Sequence, residues 1–457
     1  MNVPNSKIIK SIEERYADLQ SQFVVEEGPS ELARAVTFNN NQSAPVHRWF
    51  AFKEAFGAEL LDFLSIDGAR MRVRDSVFMD PFCGCGTSIL SGDLQQGWVC
   101  HRIGVETNPF IAFVANTKAN WREFDPATVE TYARNILASP LRKDIPEDEW
   151  PNLSTFRDPE MFDKNRVSAL VDAVFRSQAL PIPYANLFLL GIASAVERLS
   201  LYRKTGRALR KLRGAKSLQA RLHIETESEL LRVWLMFAFD IKQVAQFRKH
   251  ESSHFTIIQG DGRSLNGPLI KTIEPSSVSL MVYSPPYLNQ IDYTEVYKVE
   301  SWLLGFIDSA DTMKNQRLAT VRSHSSIKFP ESRPELTTNA EAALQLVNTV
   351  VSSSGNSWHQ TFLRTAYGYF SDIQQSLRRQ FEMLEPGAQV RCIIGNSVHG
   401  AKGRRIAVAT DLFIADIAVA VGFEVSKIQV ARMLSRGGQL NSYIRESILW
   451  MRKPNAQ

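Results

Sequence analysis

Near the first quarter of the chain a short apolar run closes on an acid and turns at once into glycines: VFMDPFCGCGTS, Val77–Ser88. A strand, a glycine corner and a following helix leave few folds open, because this unit opens a doubly wound α/β sheet. Gly84 and Gly86 permit positive φ and close approach of the backbone to a ligand. The helix after them offers unpaired N–H groups. In dinucleotide-binding and P-loop folds such a corner holds phosphate. Here no Lys-Ser/Thr pair follows the second glycine, and the spacing is not G-x-G-x-x-G. An acid, Asp80, also stands where it would repel a phosphate.

A carboxylate there suits a cationic or hydroxylated ligand. Glu106 ends the next apolar run, IGVE, roughly 20 residues past the last glycine, where an acid takes ribose hydroxyls. Asp261 ends a third, FTIIQGD. Three strand-end acids around one glycine corner fit a nucleoside with a positive centre, and S-adenosylmethionine has that chemistry. The plain alternative is that each acid only caps its loop.

The rest of the chain predicts further strands at 278–284, 389–396, 424–432 and 446–453, with a mostly helical stretch over 115–250. The predicted parts are an N-terminal helical arm (1–45), a first half of the core (46–120), a helical insertion (121–250) and a second half (251–457). Within the last, 310–360 reads as loop with short helices. The segment His47–Leu64 predicts a helix over its second half. With 457 residues, 44% of them hydrophobic and 22% charged, the chain has material for a sizeable core. Four cysteines (Cys83, Cys85, Cys100, Cys392) make neither a disulfide framework nor a zinc set, so no metal is expected. The charged N-terminus does not read as a signal peptide and no run approaches a membrane span. A cytoplasmic protein without membrane contact is expected.

The strand VSLMVY ends in Ser284-Pro285-Pro286-Tyr287. Two prolines there discard donors that a sheet would use. In isolation this is a proline-rich turn. Placed after the third acidic strand, it completes a set. DPFCGCGTS, IGVETNP, QGDGRSL and YSPPYLNQIDYTEVYKVESWLLGF resemble the successive motifs of amino-group DNA methyltransferases, over about residues 47–120 and 255–453. The resemblance implies a Rossmann-like seven-stranded mixed sheet interrupted by a large helical insertion after its second strand. It also implies S-adenosylmethionine as methyl donor.

By that resemblance Asp80, Phe82, Gly84, Gly86, Thr87, Glu106, Asn108 and Asp261 bind the cofactor, with Phe52, Lys53 and Phe56 covering it. Ser284 and the carbonyl of Pro285 accept hydrogens of the target amine, Pro286 holds the turn, and Tyr287 stacks on the flipped base. Asn396, in IIGNSV, falls in the target-base pocket. The family associates S-P-P-Y with cytosine N4 more often than adenine N6. No cysteine is placed for ring-carbon methylation. Adenine N6 or an RNA amine is the alternative substrate, and a non-catalytic module that binds S-adenosylmethionine and DNA is the alternative of another class.

The net charge is +5. Arg198–Lys216 holds eight Lys/Arg and no acid. Such a run neutralises phosphates without reading sequence. Arg203, Lys204, Arg207, Arg210, Lys211 and Arg213 are the candidates for double-stranded DNA. A second set, Arg317, Arg322, His324 and Lys328, follows the catalytic motif. The setting implied is restriction–modification or a related defence system, with a cognate restriction endonuclease or defence proteins as partners.

Overall fold

The computed structural model describes residues 6–52, 55–205, 208–249, 254–265, 273–289, 291–324, 329–353, 361–402, 405–435 and 437–455. In chain order the strands are β1 (Val25–Glu27), β2 (Val77–Asp80), β3 (His101–Glu106), β4 (Tyr202–Thr205), β5 (Ala208–Lys211), β6 (Phe255–Gln259), β7 (Val278–Tyr283), β8 (Leu384–Gly395), β9 (Ser397–His399), β10 (Ile406–Val408), β11 (Glu424–Met433) and β12 (Arg445–Arg452). The main sheet runs β1-β11-β12-β8-β7-β2-β3-β6. From β6 to β8 neighbours pair in parallel, whereas β12 is antiparallel to both β8 and β11. This is the Rossmann-like mixed sheet expected from the motifs, including the closing antiparallel pair.

The central strands are apolar without alternation because both faces are covered. Side chains on β2 and β7 point up and down in turn. Phe78 and Leu280 join one core with Trp98, while Met79 and Met281 join another with Phe370 and Leu412.

Several expectations need correcting. The sheet has eight strands, because β1, from the N-terminal arm, adds to the outer edge of β11 in parallel. Within 310–360, read as loop with short helices, the described residues include the helices Ala310–Leu318 and Thr338–Ser352, the second longer than expected. An apolar face on the second, built from Ala343, Leu344, Val347 and Val351, supplies the burial. In 47–64 the helical turns are 3₁₀, His47–Trp49 and Ala58–Phe63. The insertion is mostly helical, but its basic run forms the hairpin β4–β5.

The insertion enters between β3 and β6 and shares its core with the first half of the sheet. Phe188, Trp234 and Phe237 belong to one apolar cluster with Trp49, Phe52, Phe110 and Tyr297. Asp240, fully buried in the insertion helix Thr226–Val244, accepts hydrogen bonds from the Val46 amide (3.1 Å), Arg48 Nε (3.0 Å) and Trp49 Nε1 (3.1 Å). One buried carboxylate of the insertion thus fixes the segment that carries Phe52. Among the described residues no helix is long and apolar enough to cross a membrane.

Candidate active site

The strand order reverses between β2 and β7. After β2 the chain proceeds outward through β3 and β6, then returns to lay β7 on the other side of β2. Ligands of open α/β sheets bind outside the carboxyl ends of strands at such a point. Here β2 ends on Asp80 and β7 runs straight into Ser284, and a cavity of about 280 Å³ opens between them.

Its wall holds most of the residues marked out from the motifs. Asp80, Phe82, Gly84, Thr87, Glu106, Asn108 and Asp261 line it, as do Phe52 and Phe56, with Ser284, Pro285, Pro286 and Tyr287. Gly84 has φ +50°, and a Cβ there would lie 2.9 Å from the ring of Phe52. Only glycine lets that ring close on the corner. Gly86 sits behind the wall as N-cap of the helix Thr87–Leu94. Lys53 lies outside the described residues.

Asp80 is almost wholly buried and holds the corner in shape, accepting from the Phe82 amide (2.9 Å) and from Ser88 Oγ. Burial, reinforced by the nearby Glu106 charge, pushes its carboxyl up to about 7. Glu106 is reached from the cavity but otherwise enclosed by protein; burial pushes it up to about 7 as well, against an amide hydrogen bond from Asn108 (2.7 Å). Asn108 Oδ1 in turn caps the helix Pro109–Ala119 through the Phe110 (3.0 Å) and Ile111 (3.3 Å) amides. Asp261 pairs with Arg263 (2.8 Å), whose other donors reach the carbonyls of Ala319 and Thr320 (3.0 Å each), so the same pair fastens a further wall of the cavity.

Aromatic rings form another part of the wall. Phe52 stacks between Tyr293 (6.4 Å) and Tyr297 (5.3 Å). Beneath them the Lys204 ammonium lies 5.2 Å from the Phe50 ring centre and 4.8 Å from that of Tyr297, ion-paired with the buried Glu300. Lys204 is therefore a buried strut and no DNA contact, a correction to the sequence expectation.

Tyr287 is fixed at both ends. Its hydroxyl donates to Glu446 Oε1 (2.7 Å) and accepts from Ser284 Oγ (3.2 Å). Its ring lies against Gly395, where an added Cβ would come within 2.6 Å of the ring carbons. Glu446 and its partner Arg432 (2.6 Å) also line the cavity. Sequence reasoning missed both. The one signal was an acid opening the otherwise apolar strand ESILWM.

Other expected residues lie apart. Asn396 is buried and absent from the cavity wall; its amide donates to Asp411 Oδ1 (2.7 Å) and the Tyr443 carbonyl (2.9 Å) and accepts from the Asp411 amide (2.8 Å). It ties the end of β8 to the helix Thr410–Val421. Arg322 is held by Asp372 (2.7 Å) and Ser332 Oγ (2.7 Å), and Arg317 by Asp292 (2.7 Å from Nε). His324 is buried, its ring 4.0 Å from Asp292. Lys328 and Arg207 lie outside the described residues. Arg203, Arg210, Lys211 and Arg213 are exposed, though Lys211 pairs with Asp158 (3.0 Å) and Glu160. Among the described residues no group of three or more His, Cys, Asp or Glu is placed to hold a metal ion.

No family model matches the chain. Among curated proteins it is similar to the type II methyltransferase M.BsoBI of Geobacillus stearothermophilus, at 24% identity over 94% of this chain and 90% of that one. It is also similar to the type II methyltransferase M.AvaI of Nostoc sp. strain PCC 7120, at 23% identity over 93% of this chain and 88% of the other. An M.AvaI of Anabaena variabilis matches to the same extent. The likeness spans the insertion as well as both halves of the sheet, and it supports the resemblance to DNA methyltransferases drawn from the motifs.

Proposed function

We propose that the chain transfers a methyl group from S-adenosylmethionine to the exocyclic N4 amine of cytosine in duplex DNA, as the modification arm of a restriction–modification system. The observation that carries this is the opening of Ser284-Pro285-Pro286-Tyr287 into the same cavity as Asp80, Glu106 and Asp261. The residues suit the donor. A positively charged sulfonium nucleoside with ribose hydroxyls meets carboxylates, a glycine corner, and the rings of Phe52 and Phe82. When bound, it supplies an activated methyl.

The chain supplies position. An aromatic amine is a poor nucleophile because its lone pair is delocalised into the ring. Ser284 Oγ and the Pro285 carbonyl accept its hydrogens and draw the nitrogen toward a tetrahedral form, freeing the lone pair. The proline ring locks φ and so fixes that carbonyl. Tyr287, held by Glu446 and Gly395, gives a rigid face for a base rotated out of the duplex, which costs on the order of a few kcal/mol. Alignment of nitrogen, methyl and sulfur then does most of the work.

Mass spectrometry of nucleosides from cells expressing the protein tests the reading. N4-methylcytosine in DNA is the expected product. N6-methyladenine instead would sink the choice of base, methylated RNA with unmodified DNA the choice of polymer, and no methylation at all the enzyme.

The hairpin β4–β5 is the proposed grip on the DNA backbone. Arg203 and Arg210 are exposed and directly opposite across it, and among the described residues neither meets an acid. Like charges in that register repel, and a phosphate chain relieves the repulsion. The hairpin packs on the helix Tyr293–Val296, whose Tyr293 lines the cavity. Arg322, held by Asp372 and Ser332, is not part of that grip. Replacing Arg203 and Arg210 together by alanine is expected to weaken DNA binding about tenfold at 0.1 M salt and to reduce the slope of log affinity against log salt by about 2, with kcat unchanged. An unchanged slope would place the DNA elsewhere.

A further inference from the structure

The cavity holds a carboxylate that the mechanism above leaves unused. Glu446 is 3% exposed and lies directly across the β11–β12 ladder from Arg432, with an Arg432 Nε to Glu446 Oε2 distance of 2.6 Å. Its other oxygen accepts from Tyr287, which accepts from Ser284.

The direction of this chain matters. Carboxylate oxygens accept only, and a phenol has one hydrogen. With that hydrogen given to Glu446, the Tyr287 oxygen can only accept, so the Ser284 hydrogen turns toward it. The lone pairs of Ser284 Oγ are then left for the cavity. A serine hydroxyl in water donates as readily as it accepts, and a donor would oppose the lone pair of the target amine. Burial pushes the Tyr287 phenol well above its ordinary range, which keeps its hydrogen in place.

We propose that Glu446 is a positioning residue for methyl transfer, acting through Tyr287 to hold Ser284 as an acceptor and taking up the proton that the amine releases. The proposal rests on the amino-methyltransferase reading of the site. The atoms balance. The carbon–sulfur bond breaks as the nitrogen–carbon bond forms, and the sulfonium leaves as a neutral thioether. The nitrogen then sheds one proton to Ser284 Oγ, while Ser284 passes its hydrogen to Tyr287 and Tyr287 passes its own to Glu446. The products are a neutral methylated amine and a protonated Glu446.

The test compares wild type, Glu446→Gln, Tyr287→Phe and the double variant of the full chain in single-turnover methyl transfer. Binding of S-adenosylmethionine and of duplex DNA is measured separately. Glu446→Gln is expected to lower the transfer rate about a hundredfold, the usual contribution of a positioned proton acceptor, with both affinities near wild type. Tyr287→Phe interrupts the same chain, so the double variant is expected to be no slower than the slower single. Rates near wild type for Glu446→Gln, or effects of the two changes that multiply, overturn the proposal. Should Glu446→Gln fail to fold, Tyr287→Phe leaves the Arg432–Glu446 pair intact, and a transfer rate near wild type in that variant overturns it equally. An inactive wild type would instead remove the reading underneath.

Discussion

Replacing Ser284 by alanine is expected to slow methyl transfer by about a hundred- to a thousandfold, the cost of deleting one preorganised hydrogen-bonding group at a reacting centre. Binding of S-adenosylmethionine should not change, because Ser284 follows β7 while the acids proposed to hold the donor belong to β2, β3 and the loop after β6. The fold should not change either. Ser284 Oγ makes its contact with Tyr287 at 3.2 Å, and Tyr287 keeps its shorter bond to Glu446 at 2.7 Å when the serine is gone. On the proposed mechanism alanine removes one acceptor of the amine's hydrogens and leaves the Pro285 carbonyl to act alone. The discriminating readout is the split between kcat and KM. A loss in kcat with KM for DNA intact means an interaction made in the transition state. A loss carried by KM alone would make Ser284 a binding contact, and equal incorporation by variant and wild type would end its catalytic role.

Much of this site was legible before the fold, for reasons that differ by residue. Asp80, Gly84 and Glu106 could be read because strand ends and glycine corners leave a local pattern: an apolar run, an acid, a residue without Cβ. Ser284 to Tyr287 could be read because two prolines at the end of a buried strand violate sheet chemistry and so need a reason. Glu446 and Arg432 left no such mark. Their meeting depends on the β11–β12 register and on the approach of β12 to β8, which are long-range pairings. Asn396 shows the opposite failure. Its motif was local, yet Asn396 does not line the cavity and its amide is consumed by Asp411 and Tyr443. Charge counting failed at Lys204 for a related reason, since a basic run says nothing of which cation turns inward, and the period of a hairpin sends alternate residues to opposite faces. Arg203 and Lys204 are neighbours in sequence, one exposed and the other buried against Glu300.

Affinity for S-adenosylmethionine is expected to rise with pH, and the stability of the ligand-free protein to move the other way. Burial holds Asp80 at about 7, from an ordinary 3.8, and Glu106 at about 7, from 4.5. A carboxyl whose folded pKa is raised binds its proton more tightly in the fold than in the open chain. Its contribution to stability is therefore full below the unfolded value and is lost as pH rises through about 7. Ribose hydroxyls and a cationic centre want the ionised forms. If one of the two carboxyls must ionise on binding, affinity at about pH 6 should be roughly tenfold below that at about pH 8, and toward a hundredfold if both must. Calorimetric titration at the two pH values reads this directly. The variant Glu106→Gln separates the terms: it removes the charge the fold resists, so the ligand-free protein should melt higher than wild type at alkaline pH and equal to it at acid pH, while binding the donor more weakly throughout. An affinity indifferent to pH between those values would mean that the acids stay protonated around the ligand, and that the cavity recognises the nucleoside by shape and by its aromatic walls alone. The neutral acids would then serve only to shape the glycine corner, as Asp80 already does through the hydrogen bonds it accepts from Phe82 and Ser88.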